Sequence, residues 1–245
     1  MNVLEIEDLN VSVDGKKILN DFNLEIPQGE VHVIFGPNGS GKSTLIFTIL
    51  GFPKYRVISG SIRFKGKDIT HLPTDERVKM GIGVTFQHPP SIRGVKLRDI
   101  INNISKKNIE AAGGEKTIAQ KVNFPASFLE RDLNYGFSGG EVKRSEVLQI
   151  LVQRPEFIML DEPDSGVDVE NLELIGKVIN ELIVNNSGIL ITHLGYILRY
   201  VKVKRAHVII DGCIACSGEP MITLDHILRE GYWWCDQCRI LEKKP

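Results

Sequence analysis

Short runs of apolar residues, separated by polar turns, occur along most of the chain. In the first third, apolar and polar residues alternate over residues 3–6, 11–13, 22–26 and 61–64. Strict alternation is typical of β-strands that bury only one face. Separate half-buried strands joined by turns are therefore expected in this part of the chain.

Later runs are almost continuously apolar. They cover residues 31–35, 82–86, 157–160, 189–192 and 208–210. Short apolar runs without alternation are typical of strands that are buried on both faces of a parallel sheet. A helical pattern over residues 42–50 follows the first of them. These patterns predict an α/β fold in which helices cover a parallel sheet.

One long stretch, residues 95–153, is more polar and mainly helical. We interpret it as a helical subdomain inserted into the α/β core. The whole chain, residues 1–245, is then one domain, with residues 206–245 as its C-terminal region. No apolar run reaches the roughly 18 residues that a membrane span needs, so direct membrane insertion is not expected.

Composition limits the class of protein without naming a function. The chain has 245 residues, of which 42% are hydrophobic and 25% charged, as in ordinary folded proteins. Its 30 basic and 31 acidic residues give a net charge of -1, which argues against nucleic acid as a partner. The first ten residues are acidic rather than basic, so a targeting presequence is not expected there. A cytoplasmic protein is expected.

A phosphate-binding loop is the strongest single motif. Residues 36–43 read Gly-Pro-Asn-Gly-Ser-Gly-Lys-Ser and fit the GxxxxGK[ST] pattern between a strand and a helix. Glycines let backbone N–H groups surround phosphates, and a helix N-terminus favours anions. Lys42 would contact the β- and γ-phosphates, and the Ser43 hydroxyl would bind Mg²⁺. The candidate nucleotide-binding residues of this loop are Gly36, Asn38, Gly39, Gly41, Lys42, Ser43 and Thr44.

Two carboxylates, Asp161 and Glu162, end the apolar run at residues 157–160. Because the chain turns at the end of a strand, both side chains are expected to enter one site with separate tasks. Asp161 is suited to hold Mg²⁺, and Glu162 to orient and polarise an attacking water. Such a pair alone would be interpreted as solvated carboxylates, but the phosphate loop favours a catalytic pair.

Further polar residues stand at the ends of predicted elements. Gln87 and His193 directly follow apolar runs, and Asp168 ends the loop after the acidic pair. The Ser-Gly-Gly at residues 138–140 opens a helical run, where exposed N–H groups and a hydroxyl can bind an anion. Taken singly, each of these features would be interpreted as structural, for example as an ordinary helix cap.

In this order, the motifs resemble the nucleotide-binding domain of ABC ATPases over nearly the full chain. The resemblance implies an ABC-type P-loop α/β fold with an antiparallel β subdomain and an inserted helical subdomain. It also implies Mg²⁺-dependent ATP hydrolysis and a transient ATP-dependent homodimer, in which the signature of one chain closes on ATP held by the other. The residues that carry the implied roles are catalytic Glu162, His193 and Gln87, Mg²⁺-binding Ser43, Gln87 and Asp161, and, across the dimer, Ser138, Gly139, Gly140 and Asp168.

Variant residues within the motifs narrow the resemblance. Residues 137–141 read Phe-Ser-Gly-Gly-Glu and residues 161–168 read Asp-Glu-Pro-Asp-Ser-Gly-Val-Asp, where transporter ATPases usually carry LSGGQ and DEPTSALD-like segments. These variants look like the SufC family, the ATPases of Suf-type iron–sulfur cluster assembly. The resemblance implies a SufB/SufD-like scaffold subunit as partner, whose conformation the ATPase cycle changes. The alternative is the ATPase subunit of an ABC membrane transporter, which shares the chemistry and differs in partner.

The position near Val13 departs from many ABC ATPases, in which an aromatic residue stacks on adenine. Val13 offers an apolar contact without stacking, which leaves the preference for ATP over other nucleotides open.

All four cysteines lie near the C-terminus in two CxxC pairs, Cys213 with Cys216 and Cys235 with Cys238. The spacing between the pairs matches zinc sites with four thiolates, and an iron–sulfur cluster would use the same ligands. Separate reduced thiols and disulfides remain open, as does a metal-binding module to which the ATPase is secondary. A regular strand would turn Cys213 and Cys216 to opposite faces, so coordination requires a bend, for which Gly218 is a candidate.

Overall fold

Two β-sheets organise the chain, and the computed structural model describes residues 1–184 and 186–232. A four-stranded antiparallel sheet has the order β2-β1-β4-β5, and a six-stranded sheet has the order β10-β9-β3-β8-β7-β6. The strands are β1 Asn2–Val13, β2 Lys16–Pro27, β3 Val31–Phe35, β4 Tyr55–Phe64, β5 Lys67–Asp68, β6 Ile82–Thr85, β7 Phe157–Asp161, β8 Ser187–Ile191, β9 Arg205–Ile210 and β10 Cys213–Gly218. The α-helices are α1 Lys42–Leu50, α2 Thr74–Lys79, α3 Leu97–Ala111, α4 Glu115–Lys121, α5 Gly139–Gln153, α6 Val169–Ile183 and α7 Pro220–Glu230, with 3₁₀ helices at Ala126–Glu130 and Tyr196–Arg199.

The six-stranded sheet is parallel from β9 to β6, and only β10 runs antiparallel, as a hairpin partner of β9. In parallel strands the carboxyl ends meet at one edge of the sheet. The loops after β3, β8, β7 and β6 therefore lie side by side, which brings the phosphate loop, His193, the acidic pair and Gln87 to the same edge.

Separate short strands were expected at residues 3–6 and 11–13, and this prediction is wrong. Both runs belong to the single twelve-residue strand β1. The pairing of β1 with β2 shifts register between Ile6 and Leu9 and again between Leu9 and Val11. The strand therefore stays in the sheet through bulges, and Asp8 takes a left-handed φ of 48° at this point.

Both faces of the six-stranded sheet are buried, which explains its continuous apolar runs. On β3, Ile34 faces the core cluster formed with α1 and the antiparallel sheet, while Val33 and Phe35 face the cluster formed with the helices. Side chains of the longer helices α3, α5 and α6 belong to the same cluster as Val33 and Phe35. Since each strand contributes to two cores, most strand positions are apolar, and the buried polar exceptions include His32 on β3 and His207 on β9.

A buried arginine joins α1 to the segment before α2. Arg77, at 2% exposure, donates hydrogen bonds to the backbone oxygens of Thr48 and Ile49 in the last turn of α1. It also donates to the backbone oxygens of Leu72 and Thr70. Burial lowers the pKa of the guanidinium to about 10, so Arg77 still carries its charge at neutral pH.

The segment predicted to be mainly helical, residues 95–153, contains α3, α4, the first 3₁₀ helix and α5. Ser105 interrupts α3 with φ -166° and ψ 95°, which kinks the helix. Ahead of α5, the ring of Phe124 stacks on Phe128 and the ring of Phe137 packs edge-on against both, and the guanidinium of Arg131 lies over Phe128 and Phe137. This cluster supports the chain immediately before Ser138.

Candidate nucleotide-binding and catalytic site

The phosphate loop connects β3 to α1 and borders a cavity of about 450 Å³. Gly39 and Gly41 take left-handed φ values of 78° and 110°, which residues with a side chain rarely adopt. The cavity is lined by Ile18, Asn38, Gly39, Gly41, Lys42, Ser43, Thr44, Gln87, Glu162 and His193. The structure thus places most of the predicted loop residues around one cavity together with Gln87, Glu162 and His193.

Lys42 is almost fully buried at the first position of α1. Its ammonium donates to the backbone oxygens of Gly36 at 2.8 Å and Pro37 at 3.0 Å. Burial lowers the pKa of Lys42, while the nearby carboxylates of Glu162 and Asp161 act in the opposite direction. The Lys42 side chain therefore lies along the phosphate loop, where its ammonium would meet the phosphates.

Glu162 lies between two polar side chains from neighbouring loops. Its Oε2 accepts a hydrogen bond from Gln87 Nε2 at 2.6 Å, and its Oε1 lies 2.8 Å from His193 Nε2. The residue follows β7 with a left-handed φ of 50°, and its backbone N–H donates to Ile191 of β8. The turn after the strand thus directs the carboxylate of Glu162 into the cavity.

Asp161, the last residue of β7, is more deeply buried than Glu162. Burial raises the pKa of its carboxyl group to about 6, and the negative charge of Glu162 adds to the rise, while a hydrogen bond with Ser43 opposes it. Asp161 Oδ1 has no hydrogen-bond partner in the part of the chain that the structure describes. An unpaired buried carboxylate oxygen beside the Ser43 hydroxyl offers the hard oxygen ligands that Mg²⁺ prefers, so the residues present fit this ion.

Two charged residues of α5 hold the backbone next to Gln87, and sequence reasoning missed both. Lys143 Nζ donates to the oxygens of Phe86 at 2.8 Å and Gln87 at 3.0 Å. Glu146 Oε1 accepts the Phe86 N–H at 2.7 Å, and burial raises the pKa of this carboxyl group to about 7. The contacts join residues about 60 positions apart, so no local sequence signal announces them.

The Ser-Gly-Gly segment lies outside this cavity. Ser138 is the N-cap of α5 and forms a reciprocal capping box with Glu141, whose side chain accepts the Ser138 N–H at 2.7 Å. A Cβ on Gly139 would lie 3.0 Å from the oxygen of Gly166, and Gly140 lies beside Asn171. Within one chain, the signature therefore lies beside the loop before α6, and none of its residues lines the cavity at the phosphate loop.

Asp168 also lies outside the cavity, at the N-cap of α6. Its carboxylate accepts hydrogen bonds from the backbone N–H and the side chain of Asn171, and these bonds lower its pKa. Asp168 and the signature thus border the same surface of the molecule, since Gly166 contacts Gly139.

Ile18 on β2 is the only apolar side chain among the residues that line the described cavity. It lies beside the phosphate loop, 3.6 Å from the position of a Cβ on Gly41. Val13, where sequence analysis expected an apolar contact, is not among the lining residues. Because alternation along β2 does not show which residue faces a ligand, sequence reasoning had no signal for Ile18.

A β-bulge lies between Cys213 and Cys216. Gly218 was expected to supply the bend that brings these cysteines together, but the irregularity is at Ala215. Cys213 pairs with Ile210 and Cys216 with Val208, with Ala215 as the extra residue, while Gly218 remains paired in the strand. Since Ile210 and Val208 are two positions apart, the register places both cysteines opposite the same face of β9. Cys213 Sγ donates to the Asn20 oxygen at 3.1 Å.

The second pair, Cys235 and Cys238, lies outside the described residues. Within residues 1–184 and 186–232, no group of three or more histidine, cysteine or acidic side chains is arranged to hold a metal ion.

A comparison with known protein families identifies the chain. The family described as "ABC transporter" matches residues 19–165, more than half of the chain, including the phosphate loop and the acidic end of β7. The chain belongs to the ABC transporter family. Members of this family are ATP-binding ATPases, and the chain is accordingly an ATPase with the ABC fold that its sequence predicted.

Named relatives of this ABC ATPase cover almost its whole length. "Vegetative protein 296" of Bacillus subtilis is 39% identical over 96% of the chain and 94% of its own length. The "Probable ATP-dependent transporter ycf16" of Cyanidium caldarium is 39% identical, with 96% and 97% covered. A "Probable ABC transporter ATP-binding protein" of Streptococcus pyogenes is 38% identical, with 95% and 94% covered. Two of these names refer to transport.

Solved ABC structures share the fold. The ADP conformation of MJ1267, an ATP-binding cassette of an ABC transporter, aligns with a TM-score of 0.77 at 26% identity and covers 98% of this chain and 99% of its own. The post-hydrolysis dimer of the cassette MJ0796 aligns with a TM-score of 0.71 at 22% identity, with 88% and 98% covered. Among the described residues of this ABC ATPase, no helix has the length and apolarity to cross a bilayer.

Proposed function

We propose that the chain hydrolyses ATP in the cavity beside the phosphate loop, by in-line attack of a water that Glu162 orients. The observation that carries this assignment is the position of the Glu162 carboxylate between Gln87 and His193. A carboxylate held from both sides accepts a proton from water in a fixed direction. Gln87 and His193 complete the γ-phosphate site as hydrogen-bonding groups, and Lys42 with the loop N–H groups binds the phosphates.

Mg²⁺ would be held by Asp161, Ser43 and Gln87, and when bound it neutralises charge on the phosphates. The unpaired Asp161 Oδ1 supports this assignment. Removal of divalent cations with EDTA should abolish ATP turnover, and excess Mg²⁺ should restore it. Turnover that persists in EDTA after metal analysis shows no divalent cation would contradict the assignment.

The ATPase cycle requires a second chain in this proposal. The signature Ser138, Gly139 and Gly140 would close on ATP bound by the other chain, and Asp168 would couple the two sites. Two observations support it: none of the signature residues lines the cavity beside the phosphate loop of its own chain, and the related cassette MJ0796 forms a dimer in its post-hydrolysis state. In the proposal the homodimer is transient and depends on ATP.

We further propose that closure and reopening of this dimer change the conformation of an iron–sulfur cluster assembly scaffold in the cytoplasm. The support is the set of SufC-like variant residues and their use in the structure. Glu141 completes the capping box at the signature, and Asp164 accepts a hydrogen bond from Thr192 Oγ1 at 2.6 Å beside His193. The transporter names of two relatives support the alternative, in which a membrane permease is the partner.

Purification of the tagged chain from its native host under anaerobic conditions distinguishes the two partners. A co-purified SufB/SufD-like subunit with bound iron and sulfide supports the scaffold. Recovery of a transmembrane permease subunit in its place would contradict it and establish the transporter alternative.

The four cysteines are proposed to bind one Zn²⁺ that fixes the C-terminal region. The bulge at Ala215 supports this, because it places Cys213 and Cys216 opposite residues on the same face of β9. Zinc at about one equivalent per chain, lost in a Cys213→Ser and Cys216→Ser double variant, is the expected result. Iron with sulfide in place of zinc, or no metal, would contradict it.

A further inference from the structure

The end of the described chain returns to the phosphate loop. The backbone N–H of Gly36, the first residue of the loop, donates to the Tyr232 hydroxyl at 3.3 Å, across 196 residues of sequence. The Tyr232 side chain is half-buried and packs against the apolar cluster between the parallel sheet and its helices. A hydroxyl on a ring that packs against this cluster thus contacts the first residue of the loop.

The turn between β9 and β10 holds the loop at a second point. The Gly212 N–H donates to the Ser40 oxygen at 3.0 Å, and the Gly212 oxygen accepts the Asn20 N–H at 3.0 Å. Asn20 Nδ2 also donates to the Asp211 oxygen at 2.9 Å. Gly212 has a φ of 77°, and a Cβ there would lie 1.9 Å from the oxygen of Ile18, so the turn fits closely between the loop and β2.

The fit at Gly36 leaves the loop little freedom. A Cβ on Gly36 would lie 2.4 Å from the oxygen of Ile209 and 2.6 Å from Ser40 Oγ. The Gly36 oxygen accepts a hydrogen bond from Lys42 Nζ, while its N–H donates to Tyr232. Both backbone polar groups of Gly36 therefore have partners, Lys42 for its oxygen and Tyr232 of the C-terminal segment for its N–H.

We propose that Tyr232 is a positioning residue for the phosphate loop. Its hydroxyl fixes the peptide at Gly36, and the Gly212 turn fixes the peptide at Ser40, so that the loop is held in the shape that receives phosphates before nucleotide arrives. Tyr232 does not line the cavity and does not touch the reacting groups. It therefore acts on nucleotide affinity and leaves the chemical step unchanged.

The test is the Tyr232→Phe variant of the full-length chain, which keeps the ring and removes only the hydroxyl. The Gly36 N–H loses its partner, so the free loop relaxes away from the binding shape. We expect KM for Mg-ATP and the Kd for ADP to rise about fivefold to tenfold, with kcat within about twofold of the parent value. Amide exchange in peptides that cover residues 31–41 should become faster in the nucleotide-free variant.

Tyr200→Phe is the matched control, because Tyr200 is also half-buried and packs against the same apolar cluster. It should leave KM, Kd and loop exchange unchanged. The proposal is overturned if Tyr232→Phe binds nucleotide as tightly as the parent, if kcat falls in parallel with affinity, or if Tyr200→Phe weakens binding equally. Circular dichroism and thermal unfolding of both variants identify any loss of folding, and a Tyr232→Phe chain that is fully folded must still show the affinity change.

Discussion

At the scale of single residues, the structure contains a buried polar chain that the nucleotide site does not use. His32 on β3 and His207 on β9 lie with Nδ1 and Nε2 3.0 Å apart. The outer ends are Glu30, 3.0 Å from His32 Nε2, and the Ser217 hydroxyl, 2.7 Å from His207 Nδ1. Burial, with the charges of His32 and Arg205, lowers the pKa of His207 to about 3, and burial also lowers the pKa of His32.

The burial of His207 predicts a contribution to stability that is lost in acid. The folded state keeps His207 neutral, whereas the unfolded chain binds a proton below pH 6.5, so stability falls as the pH falls from about 6.5 towards 3. The raised pKa values of Glu146 and Asp161 act in the opposite direction, so the His207 contribution is isolated as the difference in unfolding free energy between the parent and His207→Gln in urea, which should decrease by about 2 kcal/mol between pH 7.5 and 5. Exposed His71→Gln should differ from the parent by an amount that changes little over the same pH range, and an equal pH-dependent effect of the two substitutions would contradict the assignment.

At the scale of elements, Arg77 determines how firmly the end of the phosphate-loop helix is held. Its guanidinium serves four backbone oxygens, two of them in the last turn of α1. Arg77→Met leaves these oxygens without their donor, and the free energy of unfolding should fall by about 2–3 kcal/mol. The free energy of unfolding of Arg77→Lys should lie between those of the parent and Arg77→Met, because an ammonium cannot reach all four acceptors. Urea unfolding measures this, with exposed Arg56→Met as the control that should change little.

The contact between α5 and the end of β6 has a catalytic consequence. Glu146 and Lys143 hold the backbone of Phe86 and Gln87, and Gln87 in turn contacts Glu162. Glu146→Ala frees the Phe86 N–H and should lower kcat about tenfold with little change in the Kd for ATP.

Gln149→Ala, one turn further along α5, should leave kcat near the parent value. A rise in the Kd for ATP without loss of kcat in Glu146→Ala would contradict this, because it would show that the contacts of Glu146 and Lys143 serve ATP binding rather than the chemical step.

These elements also show how far sequence alone reaches. The runs at Val31–Phe35 and Lys42–Leu50 end where the strand and helix end, because the phosphate-loop pattern fixes the boundary between them. The long strand β1 was missed, since bulges let polar residues remain within the sheet. Sequence order brought Gln87, Glu162 and His193 to one edge, whereas Ile18, Glu146 and Tyr232 gain their roles from contacts across the fold that no local pattern encodes.

At the scale of the whole molecule, the two halves of the proposed ATP site lie on different surfaces of one chain. The phosphate loop borders the cavity, and the signature contacts the loop before α6. A monomer would therefore bind ATP with an incomplete site.

Mixing two inactive variants tests this division. Lys42→Ala disables the phosphate loop and Ser138→Arg disables the signature, so neither chain alone should turn over ATP. In the mixed dimer one site combines an intact loop with an intact signature, and turnover should reappear and depend on the proportion of the two chains. Full activity of Ser138→Arg alone, or no recovery on mixing, would contradict the shared site.

The central claim is that Glu162, held between Gln87 and His193, orients the water that attacks ATP. Its most direct test is steady-state ATP turnover by Glu162→Gln, with exposed Glu181→Gln as the control on α6. The account predicts that Glu162→Gln lowers kcat by about 10²-fold or more and retains ATP binding, because the amide cannot accept the proton of the attacking water. Undiminished turnover by Glu162→Gln would contradict the claim.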